Sequence, residues 1–577
     1  MTNAVFTTPI AEHVWQARYR FVDANGNGDA DIQATWQRVA RAVASVEAAG
    51  QDRWHEAFAQ LLDDFSFLPG GRILAGAGTG RRVTLANCFV MGAIGDAMDA
   101  VFEALREGAL TMQAGGGVGY DFSTLRPHGA PARGTGNIAS GPVAFMSLWD
   151  AMCAAVCATG ARRGAMMAVL RCDHPDIRAF IGAKARPGAL SHFNCSVGVT
   201  DAFMSAVAAG VDWELAFPVR GLERRVYERL PAGDLWDELM RSAYAHSEPG
   251  VLFLDRINRE NNLWYCEELC ATNPCGEVPL PPYGACNLGS FNLTAFVREP
   301  FTDRAGFAFD ELAAAVPVAT RFLDNVIDLS YYALPAQAEC AHATRRLGLG
   351  FTGLADALIL LGLGYDSDAG RRFAANVMRT IQEAAYAASV LLAREKGAFP
   401  RFDAKRFLAA PGPARLPARL RADIARHGLR NSHLTAVAPA GTISLLANSV
   451  SSGIEPVFLA RHQRLLRNPQ GRIEPFEVED FACARWREGL GHRVGAISRE
   501  AAPPALVSAQ ELPPEAHLGM QAAVQAHVDQ AVSKTINLPD DIPYARFQHI
   551  YRQAYDLGLK GCTTFRPVSV PAAILSR

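Results

Sequence analysis

Apolar residues recur at helical spacing from Ile32 to Ala49 (IQATWQRVARAVASVEAA), which predicts a helix inside a mostly helical lead-in over residues 1–80. From Leu68 the pattern changes. Short apolar runs alternate with glycine-rich turns in FLPGGRILAGAGTG, VTLANCFVMG and QAGGGVGYDFSTLRPHG, as expected of buried strands joined by tight turns. Residues 141–204 predict a helix, a polar loop from Thr159 to Gly164 with Arg162 and Arg163 at its tip, and then a strand. Leu312 to Leu363 is strongly helical, interrupted by RRLGLGFTGLAD. An apolar strand, Leu434 to Ala438, runs into Pro439, Ala440, Gly441, Thr442, Ile443 and Ser444 and then into helix-compatible residues, and HIYRQAYDLGLKGCTTFRPVSVP reads as a helix entering a strand. Two segments, about 400–430 and 467–515, are rich in Pro, Ala and Arg or Glu without periodicity and are expected to be surface insertions.

Composition narrows the class. At 577 residues the chain exceeds one ordinary domain, so two or three domains or one large barrel with attachments is expected. With 49% hydrophobic and 20% charged residues and a net charge of -2, it reads as soluble and globular, with no electrostatic reason to expect a nucleic-acid partner. No apolar run reaches the ~18 residues of a membrane span, and Met1 to Trp15 lacks a signal peptide's basic start and apolar core, so the expected location is the cytoplasm. In that reducing compartment the twelve cysteines must be core residues, ligands or reagents rather than a disulfide scaffold.

The densest chemistry lies in NPCGEVPLPPYGACNLGSFNL, Asn273 to Leu293. Pro274 and Gly276 exclude a helix, and Pro279, Pro281 and Pro282 punctuate the middle of the stretch, so an extended strand or loop that turns back on itself is expected. In extended backbone Asn273, Cys275 and Glu277 would share one side, bringing an amide, a thiol and a carboxylate to one spot. Cys286 comes eleven residues after Cys275, within reach of the turn.

Other segments carry weaker signals. DANGNGDADIQA imitates a calcium loop through Asp23, Asn25, Asn27 and Gly28, but Ala34 stands where a bidentate Glu is required, which favours a polar loop capping the next helix. Gly115, Gly116, Gly117 and Gly119 could bring backbone amides to a sugar or phosphate, or simply serve tight turns. Cys88 and Cys195 read as strand core, and Cys153 and Cys157, one turn apart among apolar neighbours, as helix core. The turn Pro439 to Ser444 offers amides and hydroxyls at a helix start, a plausible phosphate cradle without the Gly-Lys-Ser/Thr ending of a Walker loop.

Taken together, NPCGE, ACNLGSFNL, FLPGGRILAGAG, GGGVGYDFSTLRPHG, RRGAMMAVLRCDHPDI and APAGTIS resemble the adenosylcobalamin-dependent (class II) ribonucleotide reductases, in order from about residue 8 to residue 567. The resemblance implies an α/β fold, a ten-stranded barrel of two five-stranded parallel halves with a central finger loop, over residues 81–567, after an N-terminal helical region (1–80) and before a short tail (568–577). It places Cys275 at the finger tip as the radical carrier. A thiol buried there would have a raised pKa and stay S–H. A radical made with the cofactor passes to Cys275, which takes the 3' hydrogen of the ribose. Glu277 acts as general base on the 3' hydroxyl, Asn273 bonds the ribose, and Cys88 and Cys286 supply electrons by closing to a disulfide as the 2' hydroxyl leaves as water. Substrate contacts carry over to Asn87, Gly117 and the turn Pro439, Ala440, Gly441, Thr442, Ile443 and Ser444, where the family more often has Thr in place of Ala440. The loop 159–168 resembles the specificity loop between effector and substrate sites, with Asp96 and Arg126 as candidate effector contacts.

Rivals have less in their favour. Oxygen-dependent relatives receive their radical through a tyrosine pair, whereas GLKGCTTFRP carries Thr563 and Thr564; glycyl-radical enzymes need an RVxGY-like motif, which is missing. A zinc-binding module built on Cys266, Cys270, Cys275 and Cys286 lacks paired C-x2-C knuckles and leaves Asn273 and Glu277 without purpose. A regulatory, non-catalytic paralogue is disfavoured by the intact reagent residues. Only fifteen residues and no cysteine come after Cys562, so either a thioredoxin-like protein is expected to reduce the site directly or a separate small chain to supply the family's cysteine tail, with dithiothreitol alone able to support turnover. The resemblance also favours diphosphate substrates, nucleotide effectors and a homodimer, and without an ATP-cone, on/off control by ATP and dATP is not expected.

Overall fold

A computed structural model of the chain describes residues 5–131, 138–157, 164–219, 222–467, 473–489, 502–567 and 575–576. The lead-in is helical, with helices at Pro9–Val14, Ile32–Ala44 and Gln51–Leu62. Asp31 starts the second by accepting from the Ala34 amide at 2.8 Å, and the mimic of a calcium loop is held by Asp23, which accepts from the Asn25 and Asn27 amides. That helix stops at Ala44 rather than Ala49. Glu47 is drawn into the interior by Arg321 (3.1 Å), Lys396 (2.9 Å) and Asn325 (2.9 Å), and this tertiary contact overrides the helical pattern.

The barrel is built from short strands. β1 (Phe67–Pro69), β2 (Cys88–Val90), β3 (Gly117–Asp121), β4 (Met166–Arg171) and β5 (Phe193–Val199) come first, followed by an outlying hairpin of β6 (Asp212–Val219) and β7 (Leu222–Pro231), and then β8 (Gly250–Phe253). β2, β3, β4, β5 and β8 pair in parallel and form one half. A two-stranded finger, β9 (Ala271–Thr272) and β10 (Pro279–Leu280), precedes β11 (Ala285–Asn292), and β12 (Val297–Arg298) pairs with β13 (Gly306–Phe307) outside the barrel.

In the second half β11 pairs in parallel with β14 (Leu347–Thr352). Parallel bridges Leu349–Thr435 and Val437–Val532 carry the ring onward through residues 433–438 and 530–537, the latter ending in β17 (Thr535–Asn537), which pairs in parallel with β18 (Gly561–Phe565). β15 (Arg461–Arg467), β16 (Ile473–Glu479) and β19 (Leu575–Ser576) form a separate small sheet. Helices such as Met98–Gln113, Pro142–Cys157 and Phe309–Leu329 make the crossovers that parallel strands require. The halves meet at antiparallel seams, β2 with β11 and β8 with β18. Every residue of β11 is buried, as expected for a strand covered on both faces.

One sequence expectation is sharpened and one is corrected. The interruption RRLGLGFT is barrel strand β14, disguised by Gly348 and Gly350 where strands favour branched residues. The segment near 400–430 is no loose insertion: it folds into helices at Ala404–Ala409, Pro411–Ala414 and Ala418–His427 and buries Phe407, Leu416 and Ile424. No helix among the described residues is long and apolar enough to cross a membrane.

Candidate active site

The finger hairpin runs inside the ring. Gly119 of β3 makes this possible, since a Cβ there would stand 1.8 Å from the Thr272 carbonyl oxygen. The tip, residues 273–278, is not the extended run expected from alternation. It is a tight turn in which the Gly276 amide donates to the Asn273 carbonyl (3.1 Å) and Gly276 adopts φ +83°, a conformation that favours glycine. Asn273 closes the loop through its Oδ1, which accepts from the Val278 amide at 3.0 Å. Both barrel halves hold the tip: Asn194 of β5 donates to the Pro274 carbonyl (2.8 Å), and the Ala531 amide donates to the Glu277 carbonyl (2.9 Å).

This turn gathers the reagents differently from an extended strand. Asn273 and Glu277 are buried and both reach Cys88: Asn273 Nδ2 donates to the Cys88 sulfur at 3.2 Å, and that thiol lies 3.8 Å from Glu277 Oε1. Cys275 is exposed at the apex, so the expectation of a buried radical thiol is corrected; a turn places its apex outward. The buried thiols with raised pKa values are Cys88 and Cys286. Burial lifts both, Cys88 well above the ordinary thiol value and Cys286 to about 12. Burial likewise pushes Glu277 up to about 7, against opposing hydrogen bonds from Asn273 and Cys88, and its Oε2 has no partner among the described residues.

Cys88 and Cys286 are directly opposed on β2 and β11 at the antiparallel seam. Directly opposed antiparallel residues have Cα atoms about 4.5–5.5 Å apart, inside the range a disulfide spans.

A cavity of about 880 Å³ opens over the finger tip. Its wall includes Asn87, Cys88, Gly115, Gly116, Gly117, Asn273, Cys275, Glu277 and the turn from Pro439 to Ile443. The turn leads into the helix Gly441–Leu446, whose first residues, Gly441, Thr442 and Ile443, line the cavity. Ser444 does not join them; it is buried and its hydroxyl donates to the Gly441 carbonyl at 3.1 Å. Asn87 Oδ1 has no partner among the described residues.

Asp96 and Arg126 meet each other rather than the cavity. Arg126 Nε lies 2.9 Å from both carboxylate oxygens of Asp96, and its remaining nitrogens donate to the Asp96 and Pro131 carbonyls. Of the Gly/Arg loop, residues 158–163, including Arg162 and Arg163, lie outside the described residues, while Gly164 and Ala165 line the cavity. Cys153 and Cys195 are buried core residues as expected, and no group of three or more His, Cys, Asp and Glu among the described residues is arranged to hold a metal ion.

Sequence reasoning missed Arg18, Tyr19 and Arg72, which line the cavity from the helical region and the segment after β1; Arg72 sits inside FLPGGRILAGAG, where the glycines mask it. It also missed Gln530, behind Cys286, for which HVDQAVSK offers no signal.

Comparison with known proteins agrees with this geometry. Residues 5–82 match the ribonucleotide reductase all-alpha domain, and residues 86–565 match the ribonucleotide reductase barrel domain. The chain is 42% identical to a vitamin B12-dependent ribonucleoside-diphosphate reductase of Mycobacterium tuberculosis, over 98% of this chain and 80% of that protein. It is 36% identical to the protein of the same name from Thermoplasma acidophilum, over 90% of this chain and 66% of that one. A ribonucleoside-diphosphate reductase subunit alpha of Chlamydia pneumoniae is 26% identical over 74% of this chain and 45% of its own length. A barrel with antiparallel seams, a finger carrying Cys275 and a cysteine pair beneath it thus coincide with matches along nearly the whole sequence, and the chain belongs to the ribonucleotide reductases.

Proposed function

We propose that this chain reduces ribonucleoside diphosphates to 2'-deoxyribonucleoside diphosphates, with adenosylcobalamin as its cofactor. The observation that carries this reading is the finger tip, which presents Cys275 to a nucleotide-sized cavity directly above the opposed Cys88 and Cys286. The names of the B12-dependent relatives support the cofactor and the diphosphate substrate.

Each residue has a task that its surroundings suit. The amides at Ala440, Gly441 and Thr442 receive the phosphates, so the methyl of Ala440 forfeits only a side-chain hydroxyl. Asn87 and Gly117 flank the sugar. Cys275, as a thiyl radical, takes the 3' hydrogen. Glu277, with a pKa near 7 and an Oε2 that has no partner among the described residues, accepts the 3' hydroxyl proton, and Asn273 orients the ribose. Cys88 and Cys286 provide two electrons and close to a disulfide as the 2' oxygen departs as water.

The cofactor supplies hydrogen-atom abstraction at Cys275 when bound. The chain's residues fit it: Cys275 is exposed at the apex of the turn and lines the cavity, while Asn273 and Glu277 stay buried beside it. The Asp96–Arg126 pair is fully engaged, so an effector acting there works through the backbone that the pair braces.

A homodimer is supported by Met98, Phe102 and Leu148, which are 57%, 51% and 39% exposed on two packed neighbouring helices. The cytoplasm is the matching compartment, because a dithiol protein of the thioredoxin kind must reopen the disulfide there. Nucleoside diphosphate reduction assayed with and without adenosylcobalamin tests the proposal: deoxynucleotide should form only with the cofactor, and formation without it would overturn the assignment.

A further inference from the structure

The two thiols of the pair are chemically unequal. Cys88 lines the cavity and has the Glu277 carboxylate 3.8 Å from its sulfur. Cys286 lies behind it, away from the cavity wall. There Gln530, itself buried, points Nε2 at the Cys286 sulfur from 3.8 Å, and the same nitrogen is fixed by donating to the Leu347 carbonyl of β14 at 2.9 Å. The guanidinium of Arg346, next in the chain to Leu347, adds a favourable field for negative charge on Cys286, while Glu277 opposes it. On Cys88 the fields of Glu277, Cys286 and Cys275 all oppose negative charge, and Asn273 is the amide donor in contact.

We propose that the disulfide is reopened in a fixed direction: the reductant attacks Cys88 from the cavity, and Cys286 is the leaving sulfur, with Gln530 as the residue that positions and stabilises it. This rests on the functional reading above, in which Cys88 and Cys286 are the redox pair. In the step a thiolate bonds to Cys88 Sγ as the Cys88–Cys286 bond breaks, and the electron pair of that bond leaves with Cys286, which then takes a proton. The second thiol of a dithiol reductant displaces Cys88 from the mixed disulfide, so two electrons in all pass from reductant to the pair. Thiol–disulfide exchange favours the attack that expels the better-stabilised thiolate and that access permits, and here both criteria select Cys88 as target. Gln530 is a positioning residue, acting only through Cys286.

The direction is open to trapping. The full chain is oxidised by one turnover with adenosylcobalamin and a nucleoside diphosphate without reductant, pulsed briefly with 2-mercaptoethanol, quenched in acid, alkylated with iodoacetamide under denaturing conditions and mapped by peptide mass spectrometry. 2-Mercaptoethanol should be found on Cys88 and the alkyl group on Cys286, in about tenfold or greater excess over the reverse. A reversed or even distribution overturns the proposal. In folded Gln530→Met the excess should fall several-fold while still favouring Cys88, the accessible sulfur, and an unchanged excess would remove Gln530 from the account. Absence of a Cys88–Cys286 disulfide in the oxidised starting protein would instead sink the functional reading on which the direction rests.

Discussion

Glu277 shows what one buried carboxyl contributes and what it costs. Its pKa near 7 makes it a base that is half-titrated at neutral pH, so kcat/KM should rise with pH along an acid limb near 7. Glu277→Gln should lose this limb and at least about a hundredfold of turnover. The same shift sets the sign of its stability effect. A carboxyl whose pKa is raised on folding binds more protons in the folded state between about 4.5 and 7, so its contribution to stability falls as pH rises through that window. Glu277→Gln should therefore raise the melting temperature at pH 8 relative to the parent and change it little at pH 4, as read by calorimetry. These residues were legible from NPCGE, but for an incomplete reason. Alternation put the amide, thiol and carboxylate on one side, whereas the turn at Gly276 sends Cys275 outward and folds Asn273 and Glu277 back onto Cys88. Spacing identifies reagents, and the backbone conformation decides which way each faces.

The finger depends on a strand that yields space to it. Gly119 of β3 lies against the Thr272 carbonyl, and even a methyl group there would collide with main chain that has no side chain to swing aside. Gly119→Ala should displace the tip and cost about a hundredfold in turnover, since small misplacements of reacting groups are that costly. Faster amide exchange across residues 271–280 should accompany the loss, and unchanged turnover would show that β3 and the finger do not meet as described. Strand recognition was uneven for related reasons. Runs such as LANCFV announce themselves by branched and aromatic residues, whereas LGLGFT alternates glycine with leucine and passes for a break between helices. Helices around 400–430 escaped notice because proline and arginine obscure their period, although Phe407 and Ile424 anchor them. Resemblance supplied the barrel where periodicity alone could not, because closing a ring is a long-range property that no local window contains.

The proposed dimer face lies on the outer helices. Phe102 sits half-exposed on Met98–Gln113, and the neighbouring helix Pro142–Cys157 adds Leu148, so two copies meeting here would cover these side chains. Phe102→Glu should shift the sedimentation equilibrium from dimer toward monomer, and an unaltered mass would exclude this face. The seam between β2 and β11 carries a different consequence. The two halves of the barrel are held there by a short antiparallel contact, and the cysteine pair sits directly on it. In the proposed mechanism each turnover thus draws a covalent staple across the joint, and each re-reduction removes it. Tying Cys88 to Cys286 closes a loop of about two hundred residues, which limits the freedom of the unfolded chain by as much as about 5 kcal/mol. In the proposed cycle the oxidised protein is accordingly the more heat-resistant form, and turnover alternates between a barrel stapled at this seam and one held there by packing and hydrogen bonds.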